Sequence, residues 1–415
     1  MSEHQYDTAE SGTLPGRYEW VPEPNGPMSV PTDPEWQRFS DTMRSFNADV
    51  GASYARQDGI GTSDAVDHNR GTEDPSADVG YDLQRFPIDS NGDPQSAAAY
   101  GMLRDEHNQL LGSLLATERT EAPGGNDGAG MRIYTVVRGA KVETVNPTND
   151  PSEENPILME LSLQPTKVRS YAIHQPSAGT TLEITSTDDA DTMDITIESE
   201  DGTTSETIAV NGTTAVTTTE SFDDIDAIWL SEEPDGDVEV TDGSGTTICE
   251  LVGGLTYSDD DQPVAGDRGV PALGSGSHAD PIGTNYEHFV GDRIERPVGS
   301  PVRPRVQSAG WTVENDLTTD SVHTSQLPTV DESDRTVTID VDVAGPKVSH
   351  DSMMEALTKD QQDYEHELSG GVVRFKNTVV ESSGERQREA SGQAVASISE
   401  TFAASGDPAI ELEAN

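Results

Sequence analysis

Apolar and polar residues alternate through residues 180–251, in the runs TTLEITST, TMDITIES, TTSETIAV, TTAVTTT, FDDIDAIWLS, GDVEV and GTTICEL. Breaks fall at Asp188-Asp189, Asp201-Gly202, Asn211-Gly212, Asp235-Gly236 and Asp242-Gly243. A period of two, with turn chemistry every eight to twelve residues or so, predicts seven short strands in an Ig-like or jelly-roll-like β-sandwich. Such a sandwich presents surfaces; chemistry needs a site grafted onto it.

Strand-like runs also flank this module. RIYTVVR, ILMELSL and KVRSYAIH precede it, and WTVEN, RTVTIDVDV and GVVRFKNTVV follow it. Residues 33–50 carry Trp36, Phe39, Met43 and Phe46 at a spacing near 3.5, which predicts a short amphipathic helix after Asp33-Pro34. Residues 351–368 read as an Asp-capped helix. Residues 87–119 support either a helix, with Leu103, Leu110, Leu111, Leu114 and Leu115 on one face, or a hairpin whose second arm carries Leu110 and Leu111; the punctuation by Gly101 and Gly112 favours the hairpin. The class is therefore mainly β, with several small β modules, an extended N-terminal arm and one or two short helices. The expected divisions are an arm over 1–86, a first β module over 87–179, the sandwich over 180–252, an irregular Gly/Pro-rich connection over 253–308, and a C-terminal β module with a helix over 309–415. The arm lies across other subunits, with Trp20 and Trp36 as anchors, or is a disordered tail.

Charge narrows the setting. The formal net charge is −52 over 415 residues, with the acids scattered instead of gathered in one tail. Disorder requires few β-branched residues, whereas Val, Ile and Thr are plentiful here and stand in strand order. A folded chain of this charge repels itself unless salt is high, which points to a halophilic, haloarchaeal setting. Cys249 is the single cysteine, so no intrachain disulfide exists, and it reads as a core thiol. No apolar run approaches the roughly 20 residues needed to span a bilayer, so membrane insertion is not expected. The first 20 residues have no secretory-signal pattern, and synthesis and folding in the cytoplasm are expected.

Candidate chemistry is sparse. The nine histidines are dispersed, and Glu365-His366-Glu367 falls in the predicted C-terminal helix, where successive residues point apart. Tyr286-Glu287-His288 lies in loop-like sequence without evident partners. Gly274-Ser275-Gly276-Ser277-His278 lacks the spacing of a nucleophile elbow. No catalytic or cofactor-binding residue is assigned, and the chain is read as not an enzyme. Asp89, Asn91 and Asp93 bring oxygens close enough for a weak structural-cation candidate, as does Asp259-Asp260-Asp261, but Pro94 stands where a calcium loop wants glycine. Asn211-Gly212-Thr213 matches a glycosylation sequon and also an Asn-Gly hairpin turn. Arg293, Arg296, Arg303 and Arg305 concentrate positive charge in an anionic chain and read as a docking strip for an acidic neighbour. Nucleic-acid binding would need a basic face, which is missing.

The stretch from Ser205 to Thr247, about a tenth of the chain, resembles a β-sandwich pattern recurrent in virion structural proteins of tailed viruses, and with the halophilic composition it resembles those of haloarchaeal tailed viruses. The resemblance implies a virion component assembled from cytoplasmic subunits, most simply an oligomeric turret or spike on the capsid surface, with a tail, baseplate or neck component as the alternative. The partners it implies are copies of the same chain, other capsid or tail proteins, and a host surface glycan or S-layer. The reading from another class is a carbohydrate-active enzyme or adhesin on a β scaffold, whose paired carboxylates 77 acids cannot exclude.

Overall fold

The computed structural model describes residues 17–23, 36–51, 54–58, 65–70, 73–103, 110–120, 130–149, 156–176, 178–199, 203–254, 268–271, 286–295, 306–320, 328–344, 361–383, 397–405 and 408–415. The N-terminal part contains β1 (Arg17–Val21), β2 (Gln37–Arg38), β3 (Met43–Asp49), β4 (Tyr54–Asp58), β5 (Ala65–Arg70), β6 (Ser76–Asp82), α1 (Ala97–Met102) and β7 (Leu110–Thr120). There follow β8 (Met131–Asn149), β9 (Leu158–Gln164) and β10 (Lys167–His174). The sandwich region holds β11 (Leu182–Ser186), β12 (Asp194–Glu198), β13 (Ser205–Ala209), β14 (Val216–Thr217), β15 (Ala227–Leu230), β16 (Val238–Asp242), β17 (Thr247–Leu251) and β18 (Gly269–Val270). The chain then forms β19 (Phe289–Glu295), β20 (Val306–Asp320), β21 (Thr329–Ala344), β22 (Gln362–Leu368), β23 (Gly371–Ser383), β24 (Ser397–Ala404) and β25 (Ile410–Ala414). The protein is mainly β.

All seven strands expected between residues 180 and 251 are present. They form two four-stranded antiparallel sheets, β14-β11-β16-β17 and β13-β12-β15-β18. The eighth strand, β18, comes from beyond residue 252. Alternation governs burial: in β11, Leu182 and Ile184 point inward while Glu183 faces water. Among the described breaks, Asp242-Gly243 closes the hairpin between β16 and β17; β12 pairs with β13, and Asp201-Gly202 between them lies outside the described residues. Asn211-Gly212 is a turn, as expected, but it joins strands of opposite sheets rather than a hairpin.

The remaining large sheet is branched, at β23, which pairs with β22, β24 and β25, and above all at β8. Residues 131–138 of this long strand pair with β10 on one side and β7 on the other, while residues 141–149 pair with β9 and β20. Between the two halves sits Gly139 with φ +61°, a conformation that a residue with a Cβ adopts only at a cost. From β8 one path runs outward through β7, β1 and β2, and another through β20, β21, β24, β23, β22 and β19. The segments 87–179 and 309–415 thus share one continuous sheet.

Two apolar cores result. The first gathers Trp20, Tyr81, Val142, Val145, Leu161, Trp311, Tyr364, Phe375 and Phe402. The second joins the sandwich interior to Val21, Trp36, Tyr134, Val136, Tyr171 and Ile173 of the large sheet. Neighbours Trp20 and Val21 enter different cores because successive strand residues point to opposite faces. The layer formed by β1, the first half of β8 and β10 therefore seats the sandwich on one side and closes the first core on the other. Fully burying a single Val, Leu or Ile contributes about 1.5–3 kcal/mol, so this shared layer holds the sandwich firmly.

Several sequence expectations are corrected. The helix expected over 33–50 is replaced by β2 and β3. A bulge between Met43 and Ser45 puts Met43 and Phe46 three residues apart on one strand face, and that spacing imitates a helix. The helix expected over 351–368 is β22 across Gln362–Leu368; residues 351–360 lie outside the described residues. Residues 87–119 contain both a helix, α1, and a strand, β7, which does carry Leu110 and Leu111. The connection over 253–308, expected to be irregular, includes β18 and the seven-residue β19. In the N-terminal segment Arg17–Val21, Gln37–Arg38 and Met43–Asp49 belong to the chain's own sheet, and Trp20 is 1% exposed and packs edge-on to Tyr100 at 5.4 Å.

Helix α1 is held from below. Asn315 Nδ2 donates to the Gly101 carbonyl at 3.1 Å, and Arg335 Nη2 donates to the Met102 carbonyl at 2.5 Å, satisfying carbonyls that so short a helix leaves open. A Cβ on Gly101 would lie 2.4 Å from Val145, so the helix can lie this close to β8 only through glycine. Cys249 is 2% exposed within the second core, and burial pushes its thiol up to about 12. In the folded protein, a thiol reagent is expected to leave Cys249 unmodified over hours and to react within minutes once denaturant is added. Rapid labelling of native protein would contradict this burial.

Candidate functional site at the seam of the two cores

The most concentrated buried polar chemistry lies where the sandwich meets the large sheet. Alternation along β8 turns Arg132 and Tyr134 toward the sandwich, and the segment before β15 supplies Asp224, Ile225 and Asp226. Arg132 reaches Asp224 at 2.5 Å, Asp226 at 3.2 Å and the Ile225 carbonyl at 3.0 Å. Tyr134 donates its hydroxyl to Asp226 Oδ1 at 2.5 Å. Gln175 Nε2 donates to the same Ile225 carbonyl at 2.9 Å, and its Oε1 accepts the Ile225 N–H at 2.7 Å. Arg132, Tyr134 and Asp226 are all buried. Burial alone would lower the Arg132 pKa, but Tyr134 and the two aspartates raise it overall; burial, then Asp226, pushes the Tyr134 phenol far up. The guanidinium therefore stays charged and the phenol stays a donor. This arrangement is a clamp between two β units.

Beside it, Trp229 of β15 carries two guanidinium groups. Arg268 lies 4.2 Å and Arg138 of β8 lies 5.1 Å from the ring centroid. A third polar knot sits inside the sandwich, where Asp191 accepts Ser186 Oγ at 2.5 Å, Asp235 N at 2.9 Å and Gly236 N at 3.1 Å. One carboxylate thus gathers two sheet-crossing connections. Asp191→Ala is expected to cost about 2–4 kcal/mol in denaturant unfolding, because the buried Gly236 N–H, the part-buried Asp235 N–H and the Ser186 hydroxyl lose their acceptor. A loss below about 0.5 kcal/mol would mean water replaces the carboxylate.

His366 and Asp292 face each other across β22 and β19, with Nδ1 2.7 Å from Oδ1, and both are buried. The helix expected over 351–368 would have pointed His366 away from Glu365 and Glu367. In the strand, Gln362, Tyr364, His366 and Leu368 share one face, while Glu365 on the other, also buried, pairs with Arg374 at 2.8 Å. His366 borders a cavity of about 10 Å³ lined chiefly by apolar groups, including Leu83, Met159 and Trp311, which has room for roughly one water. Among the described residues no hydroxyl or thiol hydrogen-bonds to His366. Ser369, the nearby serine in sequence, donates to Glu287 at 2.8 Å.

Asp89 accepts the backbone N–H of Asn91 and Asp93, at 2.8 and 2.9 Å, and its Oδ2 accepts Asn91 Nδ2, so these side chains build an Asx turn. Among the described residues, no group of three or more His, Cys, Asp or Glu side chains could hold a metal ion. Trp36 lies in the second core. Arg293 is partly exposed and stands 3.8 Å from Glu365. Arg296, Arg303 and Arg305 lie outside the described residues, as do Asp259-Asp260-Asp261 and the run from Gly274 to His278. Tyr286 exchanges a 2.6 Å hydrogen bond with Thr42, and Glu287 accepts the Gly370 N–H at 2.7 Å. No described helix is long and apolar enough to cross a membrane. Compared with protein-family models and with curated proteins, the chain matches none.

The sequence reading missed the seam. Its signal was faint: charged residues at positions where the strand alternation points inward, as with Arg132 in RIYTVVR and Asp226 in DDIDAIWL.

Proposed function

We propose that this chain is a structural component of the virion of a halophilic archaeal tailed virus, standing on the capsid surface as an oligomeric turret or spike. The observation that carries this reading is the mounting of the sandwich. An eight-stranded module of two sheets is seated on a larger sheet through a shared apolar core and clamped by Arg132, Tyr134 and Asp226. That is how a surface-presenting module is kept in fixed orientation on a base, with its outer face left free for a partner. The acidic, Thr-rich outer positions of the sandwich suit a face that stays hydrated in strong salt.

The same observation modifies how copies join. Among the described residues, the large hydrophobic side chains that are strongly exposed are Val252 and Val290. Contacts between copies over the described surface would therefore be polar, made by carboxylates, hydroxyls and arginines such as Arg293, with apolar burial largely completed inside each chain.

Mass spectrometry of virions purified in molar salt tests the proposal. This polypeptide is expected in them at a fixed stoichiometry to the shell subunit, and antibody against residues 180–251 is expected to decorate the particle exterior. Virions free of the polypeptide would end the reading. Incubating the protein with host envelope glycans is expected to give binding or no interaction, and release of cleaved product would favour the enzymatic class instead.

A further inference from the structure

Arg268 stands out in a chain with 77 acids because, among the described residues, its charge is not met by an ion pair. Its Nε donates to the Leu230 carbonyl at 2.9 Å and its guanidinium stacks on Trp229. Among the described residues no carboxylate lies in ion-pair range of it. With Nε engaged, the two terminal nitrogens remain as a parallel pair of donors at a half-buried position. The surroundings add positive charge. Arg138 meets the same indole ring, and Lys167 stands directly opposite Arg138 in the β8–β10 register; both are buried and each has further partners of its own.

We propose that the terminal nitrogens of Arg268, beside Trp229 and Arg138, form a binding site for a small oxyanion of the phosphate or sulfate class. Two parallel N–H donors match two oxygens of such an ion, a geometry that a spherical halide does not use. The local field agrees with this: burial first, and then Arg138, pull the Arg268 pKa down to about 10, and the opposing pull of Glu233 and Glu232 does not offset them. A bound anion would relieve that field. The site joins Arg138 of the large sheet to Trp229 and Arg268 of the sandwich side, so occupancy would tie the two β units together at a second point beside the Arg132 clamp.

Calorimetric titration of the full chain with sodium phosphate tests this, with sodium chloride adjusted to hold ionic strength constant. Saturable binding is expected. Arg268→Gln is expected to weaken it at least about ten-fold, and Arg268→Lys, which keeps charge but loses the fork, is expected to weaken it measurably. Near-UV circular dichroism establishes that each variant is folded; should the Gln variant fail to fold, the Lys variant decides. A non-saturating salt effect, or equal affinity in the wild type and a folded Arg268 variant, would overturn the proposal.

Discussion

Replacing Arg132 with methionine is expected to destabilise the protein by about 3–5 kcal/mol, the range for breaking a buried ion pair by removing one partner. The side-chain volume is nearly kept, so the loss would come from electrostatics. Asp226 is 1% exposed and would lose the guanidinium while keeping the Tyr134 hydroxyl, and the Ile225 carbonyl would lose one of its two side-chain donors. Tyr134→Phe removes one hydrogen bond while Arg132 still faces Asp226, and it should cost less, about 1–2 kcal/mol. Denaturant unfolding in molar salt measures both. Because the clamp joins the sandwich to the large sheet, the Arg132 variant should also lose the single transition, the sandwich melting apart from its base. A loss under about 1 kcal/mol with one transition retained would show that apolar packing alone fixes the two units.

How much of this could be read from the sequence depends on the range of the signal. Strands β11 to β17 were legible because the signal is local: Ile195 and Ile197 alternate with Thr196 and Glu198, and Asx-Gly pairs punctuate the run. Their allotment to two sheets was not, since a turn such as Asn211-Gly212 looks the same whether it closes a hairpin or crosses between layers. Bulges misled the reading elsewhere. At Met43 and Ser45 an extra residue turns a strand's spacing of two into three, which is a helix's spacing. In Gln362–Leu368 the alternation of Gln, Tyr, His and Leu was present, but the acidic residues between them, Asp363, Glu365 and Glu367, resembled a solvated helix face. On that strand face Glu365 pairs with Arg374 and Asp363 with Lys376. The seam was the least legible part. Arg132 and Asp226 are 94 residues apart, and only the fold brings them together.

Diluting the protein from molar salt to about 0.1 M is expected to abolish its cooperative fold or lower its unfolding midpoint steeply. The net charge is −52. Two like charges about 10 Å apart in water repel by about 0.4 kcal/mol before screening. At about 0.1 M salt that distance is one screening length and roughly a third of the repulsion survives, whereas in molar salt, with a screening length near 3 Å, only a few hundredths do. Summed over tens of pairs, the difference reaches several kcal/mol, comparable with the roughly 5–15 kcal/mol that holds a typical domain. Glu143 marks where the repulsion concentrates: partial desolvation, then Asp78, Asp316, Asp74 and Glu314, raise its pKa. A raised folded-state value means that its contribution is most favourable below the ordinary glutamate pKa and is lost as pH rises through the folded one. Asp89, Asp242 and Glu206 behave oppositely. Hydrogen bonds, led by those from Asp93 and from Ser244, lower the values of Asp89 and Asp242; for Glu206 desolvation is the largest single influence and acts upward, but hydrogen bonds from Thr219 and Glu220 together outweigh it, so what the three contribute is present above the ordinary carboxylate range and is lost as pH falls through their lowered values. In dilute salt, stability should therefore rise on mild acidification from pH 7 before falling in stronger acid. Glu143→Gln should raise the midpoint in dilute salt, by about 0.5 kcal/mol once solvent screening is allowed for, and change little in molar salt. Thermal scans across salt and pH read all of this, and a midpoint indifferent to salt would show that the acids are offset by pairing instead of being screened.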